Sequence, residues 1–151
     1  MKVDILDIGS GNIRSVKNWI EKLNVATRVV TQPDDIQSEL LVLPGVGSAG
    51  SYMKRMRLGN FDAAVEAHVE KGHRLMGICL GFQILMEYSE EDGHVDGLGF
   101  LNGHVESLAG QPSHNAWESL SFRRHEMDGQ SFDSRHNLTK KRIFDGRVFY
   151  N

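Results

Sequence analysis

The sequence predicts an α/β fold: an open, mostly parallel sheet with helices on both faces, followed by a mixed or antiparallel C-terminal extension. Two observations predict this fold class. Between Val3 and Tyr88, short apolar runs alternate with segments of helical periodicity, which is typical of a parallel sheet covered by helices. From about Gly93 onward, apolar segments follow one another without an intervening helical pattern. That change indicates strands of mixed or antiparallel direction added to the sheet.

The first unit of the chain is a strand, a turn and a helix. Val3–Ile8 is a short apolar run that ends at a glycine, and it predicts a buried strand. Beyond the turn, apolar side chains recur at helical spacing, at Ile13, Val16, Trp19, Ile20 and Leu23. Ser10 or Asn12 is expected to cap this helix, because either side chain can accept a hydrogen bond from a helical N–H group.

The following segments continue the alternation. Further strands are predicted at Ala26–Thr31, Leu40–Leu43 and Leu75–Ile78, and further helices at Phe61–Val69 and Phe82–Tyr88. Pro44 is expected to end the third strand, since proline cannot donate to a strand ladder. In the C-terminal extension, Gly103–Leu108 and Trp117–Phe122 are expected to form strands. The composition of the polar segment Arg123–Arg142 favours a solvated loop or hairpin.

Length and charge limit the classes of protein that fit. The chain has 151 residues, 40% of them hydrophobic, so we expect residues 1–151 to form one domain with a buried core. Its 17 basic and 20 acidic residues give a net charge of −3, which argues against nucleic-acid binding through bulk positive potential. No segment approaches the ~18 consecutive apolar residues of a membrane span, and no secretion signal is recognisable. A cytoplasmic protein is therefore expected.

Metal and cofactor sites are not expected. A single cysteine excludes an internal disulfide framework and a cysteine-only zinc site. None of the seven histidines pairs with another on one helical face beside an acid, so we expect them at the surface or in loops. The Gly9-Ser10-Gly11 turn lacks the third glycine of a dinucleotide-binding motif, because Arg14 occupies that position.

Cys79 lies where an apolar strand is expected to turn into a helix, with Gly77 and Gly81 two residues away on either side. This is the pattern of a nucleophile elbow, in which a strained backbone projects the nucleophile from the carboxyl end of a sheet. Small flanking residues allow the strand and the helix to approach closely. The N–H group of Leu80 is then a candidate donor to an oxyanion. The alternative is a buried structural cysteine, which is the common situation for a lone cysteine.

A second glycine-rich loop follows the third predicted strand. Gly45 and Gly47 allow a sharp turn at the carboxyl edge of the sheet, where open α/β sheets bind ligands. The N–H group of Val46 or of Gly47 is a candidate second oxyanion donor facing Cys79. The alternative is an ordinary turn that ends a strand.

Both loops belong to an ordered set of motifs that extends over most of the chain. The set comprises Asp7–Asn12 with Arg14–Val16, Leu43–Gly47, Gly77–Gln83, Glu87–Glu91, Gly97–Gly99, His114–Trp117 and Arg147–Asn151. In this order the motifs resemble the class I, triad-type glutamine amidotransferases, and more narrowly the glutaminase subunits of imidazole glycerol phosphate synthases. The resemblance implies a flavodoxin-like core and an enzyme that needs no cofactor.

The resemblance also implies roles for individual residues. Cys79 would be the nucleophile that forms a γ-glutamyl thioester and releases ammonia from L-glutamine. Val46 and Leu80 would supply the oxyanion-hole N–H groups. The positions that match residues holding the glutamine in the family are Gly47, Gln83 and Glu91.

The resemblance further implies a protein partner. The ammonia would pass into a (βα)₈-barrel cyclase of histidine biosynthesis, which would dock over the site to form a heterodimer. Asn12, Arg14, His114 and Trp117 would lie on or near that interface.

The sequence departs from the family pattern at two places. The family's general base is a histidine in a His-x-Glu arrangement after an aromatic strand that matches Arg147–Asn151. That histidine is expected directly after Asn151, so we expect the sequence to be C-terminally incomplete and the 151-residue form to be inactive. The segment Asn115–Glu118 differs as well. Two alternatives stay open: a paralogous subunit that supplies ammonia for sugar modification in surface-polysaccharide synthesis, and a non-catalytic binding module.

Overall fold

The computed structural model describes residues 2–107 and the backbone of residues 148–150. In chain order, the elements that build the larger sheet and its helices are β1 (Lys2–Leu6), α1 (Ile13–Glu21), β2 (Ala26–Val30), a 3₁₀ turn (Pro33–Asp35), β3 (Leu40–Gly45), α2 (Ala49–Leu58), α3 (Phe61–Glu70), β4 (Arg74–Cys79) and α4 (Leu80–Gln83). The strands pair in the order β2-β1-β3-β4, and every pair is parallel. The predicted α/β fold with a parallel sheet is confirmed. Within the described residues, no helix has the length and apolar character needed to span a membrane.

Helices cover both faces of this sheet. Side chains alternate between the two faces along each strand, and the buried residues accordingly fall into two clusters. One cluster joins β1 and β3 to α2 and α3, through Leu6, Leu41, Leu43, Tyr52, Met56 and Val65. The other joins the alternate strand positions to α1, through Val3, Ile5, Val42 and Ile20. Each fully buried aliphatic side chain contributes about 1.5–3 kcal/mol to folding, so the two clusters fix the helices to the sheet.

A second, smaller sheet follows the first. Its strands are β5 (Tyr88–Ser89), β6 (Val95–Asp96), β7 (His104–Ser107) and β8 (Val148–Tyr150), in the order β6-β5-β7-β8. The β5–β6 pair is antiparallel, whereas β5–β7 and β7–β8 are parallel. The expected mixed extension is therefore confirmed. The predicted strand Trp117–Phe122 and the polar segment Arg123–Arg142 lie outside the described residues.

Helix α2 is absent from the expectations drawn from the sequence. Its buried positions Ala49, Tyr52, Met53 and Met56 follow the helical spacing of one face. The neighbouring residues Gly47, Ser48 and Gly50 are typical of loops, and they conceal this short stripe in the sequence.

The predicted helix over Phe82–Tyr88 is wrong, because α4 ends at Gln83 and Tyr88 begins a strand. The carbonyl groups that would continue the helix have other partners. The backbone oxygens of Ile84, Leu85 and Met86 accept hydrogen bonds from the N–H groups of Leu98, Leu101 and Gly99, respectively. A returning segment of chain thus replaces the next helical turn.

The third strand also extends further than predicted, since β3 continues through Pro44 to Gly45. Strand β1 pairs with β3 only over Leu40–Val42. The missing N–H group of Pro44 therefore costs no hydrogen bond to β1. On its other side, β3 stays paired with β4 as far as Cys79, the last residue of β4.

His68 is buried in α3, with 3% of its surface exposed, so the expectation that the histidines lie at the surface or in loops is wrong for this residue. Its Nε2 atom lies 3.0 Å from the carbonyl oxygen of Arg74. Burial lowers the pKa of His68 below its usual value. A neutral imidazole that donates from Nε2 accounts for both observations.

Asp4 is fully buried in β1 and accepts four hydrogen bonds. Its two carboxylate oxygens accept from Nε and Nη2 of Arg28 at 3.0 and 2.9 Å, and one of them also accepts from the N–H groups of Gln37 and Ser38 at 2.8 Å each. Burial alone raises the pKa of the carboxyl, but these four donors outweigh it and hold the pKa at about 2. Asp4 thereby connects β1 and β2 to the segment that leads into β3.

Replacing Asp4 should destabilise the fold in a pH-dependent way. Asp4→Asn removes the charge that compensates Arg28, and we expect the free energy of unfolding at pH 7 to fall by about 3 kcal/mol. Because the folded pKa lies below the unfolded value of about 3.9, this stabilisation is complete above roughly pH 5 and is lost as the pH falls toward 2. Urea unfolding at several pH values measures the difference.

The exposed residue Asp34 provides the matched control, since Asp34→Asn makes the same chemical change outside the network. A stability difference between wild type and Asp4→Asn that does not shrink between pH 5 and pH 2 would contradict the account.

Candidate active site

Cys79 occupies the junction between β4 and α4, and its backbone is strained. It has φ of 55° and ψ of −120°, a region that side chains with a Cβ atom rarely adopt. The thiol is exposed to solvent. The alternative of a buried structural cysteine is therefore wrong, and the geometry agrees with the predicted nucleophile elbow.

Close backbone contacts hold this junction in place. A Cβ atom on Gly77 would lie 2.4 Å from the carbonyl oxygen of Gly81, and a Cβ atom on Gly81 would lie 1.8 Å from the carbonyl oxygen of Leu43. A Cβ atom on Gly45 would lie 2.6 Å from the backbone nitrogen of Gly81. These three glycines let the start of α4 pass directly against β3 and β4, which forces the sharp turn at Cys79.

The loop after β3 lies next to the junction, because Gly45 is the strand partner of Cys79. The buried Tyr52 of α2 fixes the strand end by donating its hydroxyl to the carbonyl oxygen of Pro44 at 3.0 Å. Burial raises the pKa of Tyr52 well above its usual value, so the hydroxyl stays protonated as a donor. Gly47 has φ of +99°, which only glycine adopts without strain.

Val46, a predicted oxyanion donor, is exposed and is bonded to the β1–α1 loop. Its N–H group donates to the carbonyl oxygen of Ser10 at 3.3 Å, and the Ser10 hydroxyl donates to the carbonyl oxygen of Val46 at 2.6 Å. Arg55 of α2 also binds this loop: its guanidinium Nη1 donates a hydrogen bond to the carbonyl oxygen of Gly9 at 2.6 Å. The sequence did not single out Ser10 or Arg55 as neighbours of the site, because their contacts join segments 36 and 46 residues apart.

Glu91 lies at the start of α2. Its Oε2 atom accepts from the N–H group of Ala49 at 2.8 Å, and the adjacent Asp92 accepts from the N–H group of Gly50 at 3.1 Å. The Ser48 hydroxyl accepts from Ser51 in the same turn. Negative charge at a helix N-terminus is favourable. The predicted substrate residue Glu91 therefore joins the turn between β5 and β6 to the start of α2.

The remaining predicted residues are placed as follows. Leu80 is the first residue of α4 and directly follows Cys79, whereas Gln83 is the last residue of α4, four residues after Cys79. Asn12 caps α1 by accepting from the N–H group of Ser15 at 3.3 Å, and Arg14 is exposed in the first turn of α1. The predicted interface residues His114 and Trp117 lie outside the described residues.

Comparison with known proteins agrees with this geometry. The model of the CobB/CobQ-like glutamine amidotransferase domain matches residues 15–130. The chain belongs to the glutamine amidotransferase family. The resemblance found in the sequence is thereby confirmed at the level of the family.

Individual members of the glutamine amidotransferase family match most of the chain. The imidazole glycerol phosphate synthase subunit HisH of Aquifex aeolicus is 39% identical over 128 residues, 82% of this chain and 62% of the relative. The HisH subunit of Syntrophotalea carbinolica is 36% identical over 140 residues, 86% of this chain and 68% of the relative. A crystal structure of a glutamine amidotransferase superimposes with a TM-score of 0.58 at 25% identity, covering 66% of this chain and 52% of that one. The chain thus spans between 62% and 68% of the length of these HisH relatives.

The amidotransferase elbow should not tolerate a side chain at Gly81. In Gly81→Ala, the new Cβ atom would lie 1.8 Å from the backbone oxygen of Leu43, so β3 and α4 must separate. We expect a loss of at least ~3 kcal/mol in the free energy of unfolding, measured by urea titration.

Gly99→Ala is the control, because a Cβ atom on Gly99 would have no atom within 4 Å. Gly99 has a positive φ (+66°), which Gly81 does not, so this variant brings backbone strain without a steric clash. It should cost only about 1 kcal/mol. Equal losses for the two variants would show that the close contact with Leu43 does not hold the elbow.

Proposed function

We propose that this chain belongs to the glutaminase subunit of an imidazole glycerol phosphate synthase, in which L-glutamine is hydrolysed to L-glutamate and ammonia through a thioester on Cys79. The observation that carries the proposal is the exposed cysteine in a positive-φ conformation at a strand–helix junction. A strained backbone at this place positions a nucleophile at the edge of the sheet. The similarity to HisH subunits supports the choice of glutamine as substrate.

The proposed reaction has two stages. The Cys79 sulfur attacks the side-chain amide carbon of glutamine, and the C–N bond breaks as the leaving nitrogen takes up a proton and departs as ammonia. Water then attacks the resulting γ-glutamyl thioester, releasing glutamate and restoring the thiol. Each stage passes through a tetrahedral oxyanion and needs a group that moves protons.

The N–H groups of Leu80 and Val46 are the proposed donors to that oxyanion. Leu80 directly follows Cys79 at the first position of α4. The Val46 N–H group is bonded to Ser10, so it becomes a donor to substrate only when its peptide turns away from that carbonyl. That peptide joins Gly45 to Val46, and glycine can adopt the altered ψ that such a turn requires.

Gly47, Gln83 and Glu91 are the proposed contacts to the bound glutamine. A carboxylate suits the α-ammonium group of an amino acid. One oxygen of Glu91 accepts from Ala49, and a carboxylate with two oxygens can accept further hydrogen bonds. Glu91 can therefore stabilise the helix and bind substrate at the same time.

The proposed partner is a (βα)₈-barrel cyclase that receives the ammonia in histidine biosynthesis in the cytoplasm. Asn12 and Arg14 are exposed at the start of α1. The β1–α1 loop leads into this helix and contacts Val46 through Ser10. A partner that docks on the start of α1 would therefore lie beside the proposed oxyanion loop.

Affinity labelling tests the proposed substrate and nucleophile together. The chloroketone analogue of L-glutamine should alkylate Cys79 with a rate that saturates with concentration, and L-glutamine should protect against it. Intact-mass spectrometry counts the labels, and because the chain has one cysteine, absence of the label in Cys79→Ser assigns it to Cys79. L-Asparagine, which is one methylene shorter, is the matched competitor and should protect at least about tenfold less well.

Iodoacetamide reports on the thiol alone, since it carries no amino-acid groups. A chloroketone reaction that does not saturate, or that L-glutamine does not slow, while iodoacetamide reacts normally, would refute the proposal. That result would favour the alternative that the protein is a non-catalytic binding module.

A further inference from the structure

Two carboxylates of one turn hold the N-terminus of α2. The first helical N–H group, of Ala49, donates to Glu91, and the second, of Gly50, donates to Asp92. The turn itself is closed by a hydrogen bond from the N–H group of Gly93 to the carbonyl oxygen of Glu90. Two adjacent residues of the turn, Glu91 and Asp92, thus accept hydrogen bonds from two adjacent residues of the helix, Ala49 and Gly50.

Asp92 and Gly50 fit each other closely. A Cβ atom on Gly50 would lie 2.7 Å from Oδ2 of Asp92, so the carboxylate reaches the backbone only because residue 50 is a glycine. Asp92 has φ of +59°, a conformation that aspartate tolerates better than most residues but that still costs free energy. The hydrogen bond to Gly50 offsets this cost.

The position of Glu91 depends on the same contact. Glu91 is half-buried, whereas Asp92 is exposed, and the Glu91 N–H group donates to the hydroxyl of the buried Ser89. The turn is therefore anchored at Ser89 on one side and at Gly50 on the other, with Glu91 between. Without the Asp92 anchor, the Glu91 side chain can leave Ala49.

We propose that Asp92 is a positioning residue for glutamine binding: by bonding to Gly50, it fixes the Glu91 carboxylate beside the loop that ends at Ser48. This inference rests on the proposed function, because it assumes that Glu91 contacts the substrate. Asp92 itself does not touch the reacting atoms. Its effect belongs to substrate affinity and not to the reactivity of Cys79.

The test compares saturation labelling by the glutamine chloroketone in Asp92→Ala, Asp92→Asn and wild type. Asp92→Ala should raise the inhibition constant of the chloroketone about tenfold, a loss of about 1.4 kcal/mol in binding. It should leave the maximal alkylation rate and the iodoacetamide rate within about twofold of wild type, since neither depends on Glu91. Asp92→Asn keeps an acceptor oxygen and should restore the inhibition constant to within about threefold of wild type.

Glu90→Ala is the matched control, because it removes an equal charge from an exposed side chain of the same turn and should leave the inhibition constant unchanged. Thermal unfolding of each variant separates stability from positioning. A lower melting temperature for Asp92→Ala with an unchanged inhibition constant would overturn the positioning role and leave the proposed function standing. Wild-type labelling that does not saturate would overturn both.

Discussion

The close approach of β3, β4 and α4 around Gly45, Gly77 and Gly81 is the constraint on which the rest of the structure depends. None of these three positions has room for a Cβ atom, since each would meet a backbone atom at 2.6 Å or less. Helix α4 consequently starts immediately after β4. Cys79, the last residue of the strand, therefore has no relaxed backbone conformation available. The strain at Cys79 follows from packing around it, because a non-glycine residue keeps a positive φ only where its surroundings impose it.

The other parts of the candidate site lie at the same edge of the sheet, where β3 and β4 end. Strand β3 ends beside Cys79, and its continuation reaches the β1–α1 loop through Val46 and Ser10. Helix α2 begins directly after that continuation, and the turn that carries Glu91 binds its first N–H groups. The segment that leads into the opposite end of β3 is held by Asp4, which accepts hydrogen bonds from Arg28 and from the N–H groups of Gln37 and Ser38.

Features that depend on local backbone requirements could be predicted from the sequence. The spacing of Gly77, Cys79 and Gly81 reflects a steric requirement between Gly77 and Gly81, so the strained strand–helix junction at Cys79 could be predicted. The contact between Gly81 and Leu43, which are distant in the chain, could not. Nor could the length of α4, because its end depends on hydrogen bonds from Leu98 and Leu101, residues distant in the chain. The contacts of Ser10, Arg55 and Asp92 were missed for the same reason. The roles of Gln83 and Glu91 came from family resemblance and stay proposals.

The most direct measurement for the central claim compares the stabilities of Cys79→Gly and Cys79→Ala by urea unfolding. Both variants lack the thiol, but only glycine adopts φ of 55° and ψ of −120° without strain. Flexible glycine would destabilise an ordinary strand end by roughly 0.5–1 kcal/mol relative to alanine. If packing imposes a strained elbow at this residue, Cys79→Gly will be the more stable variant by about 1 kcal/mol or more. A Cys79→Ala variant that is as stable as Cys79→Gly, or more stable, would contradict the account.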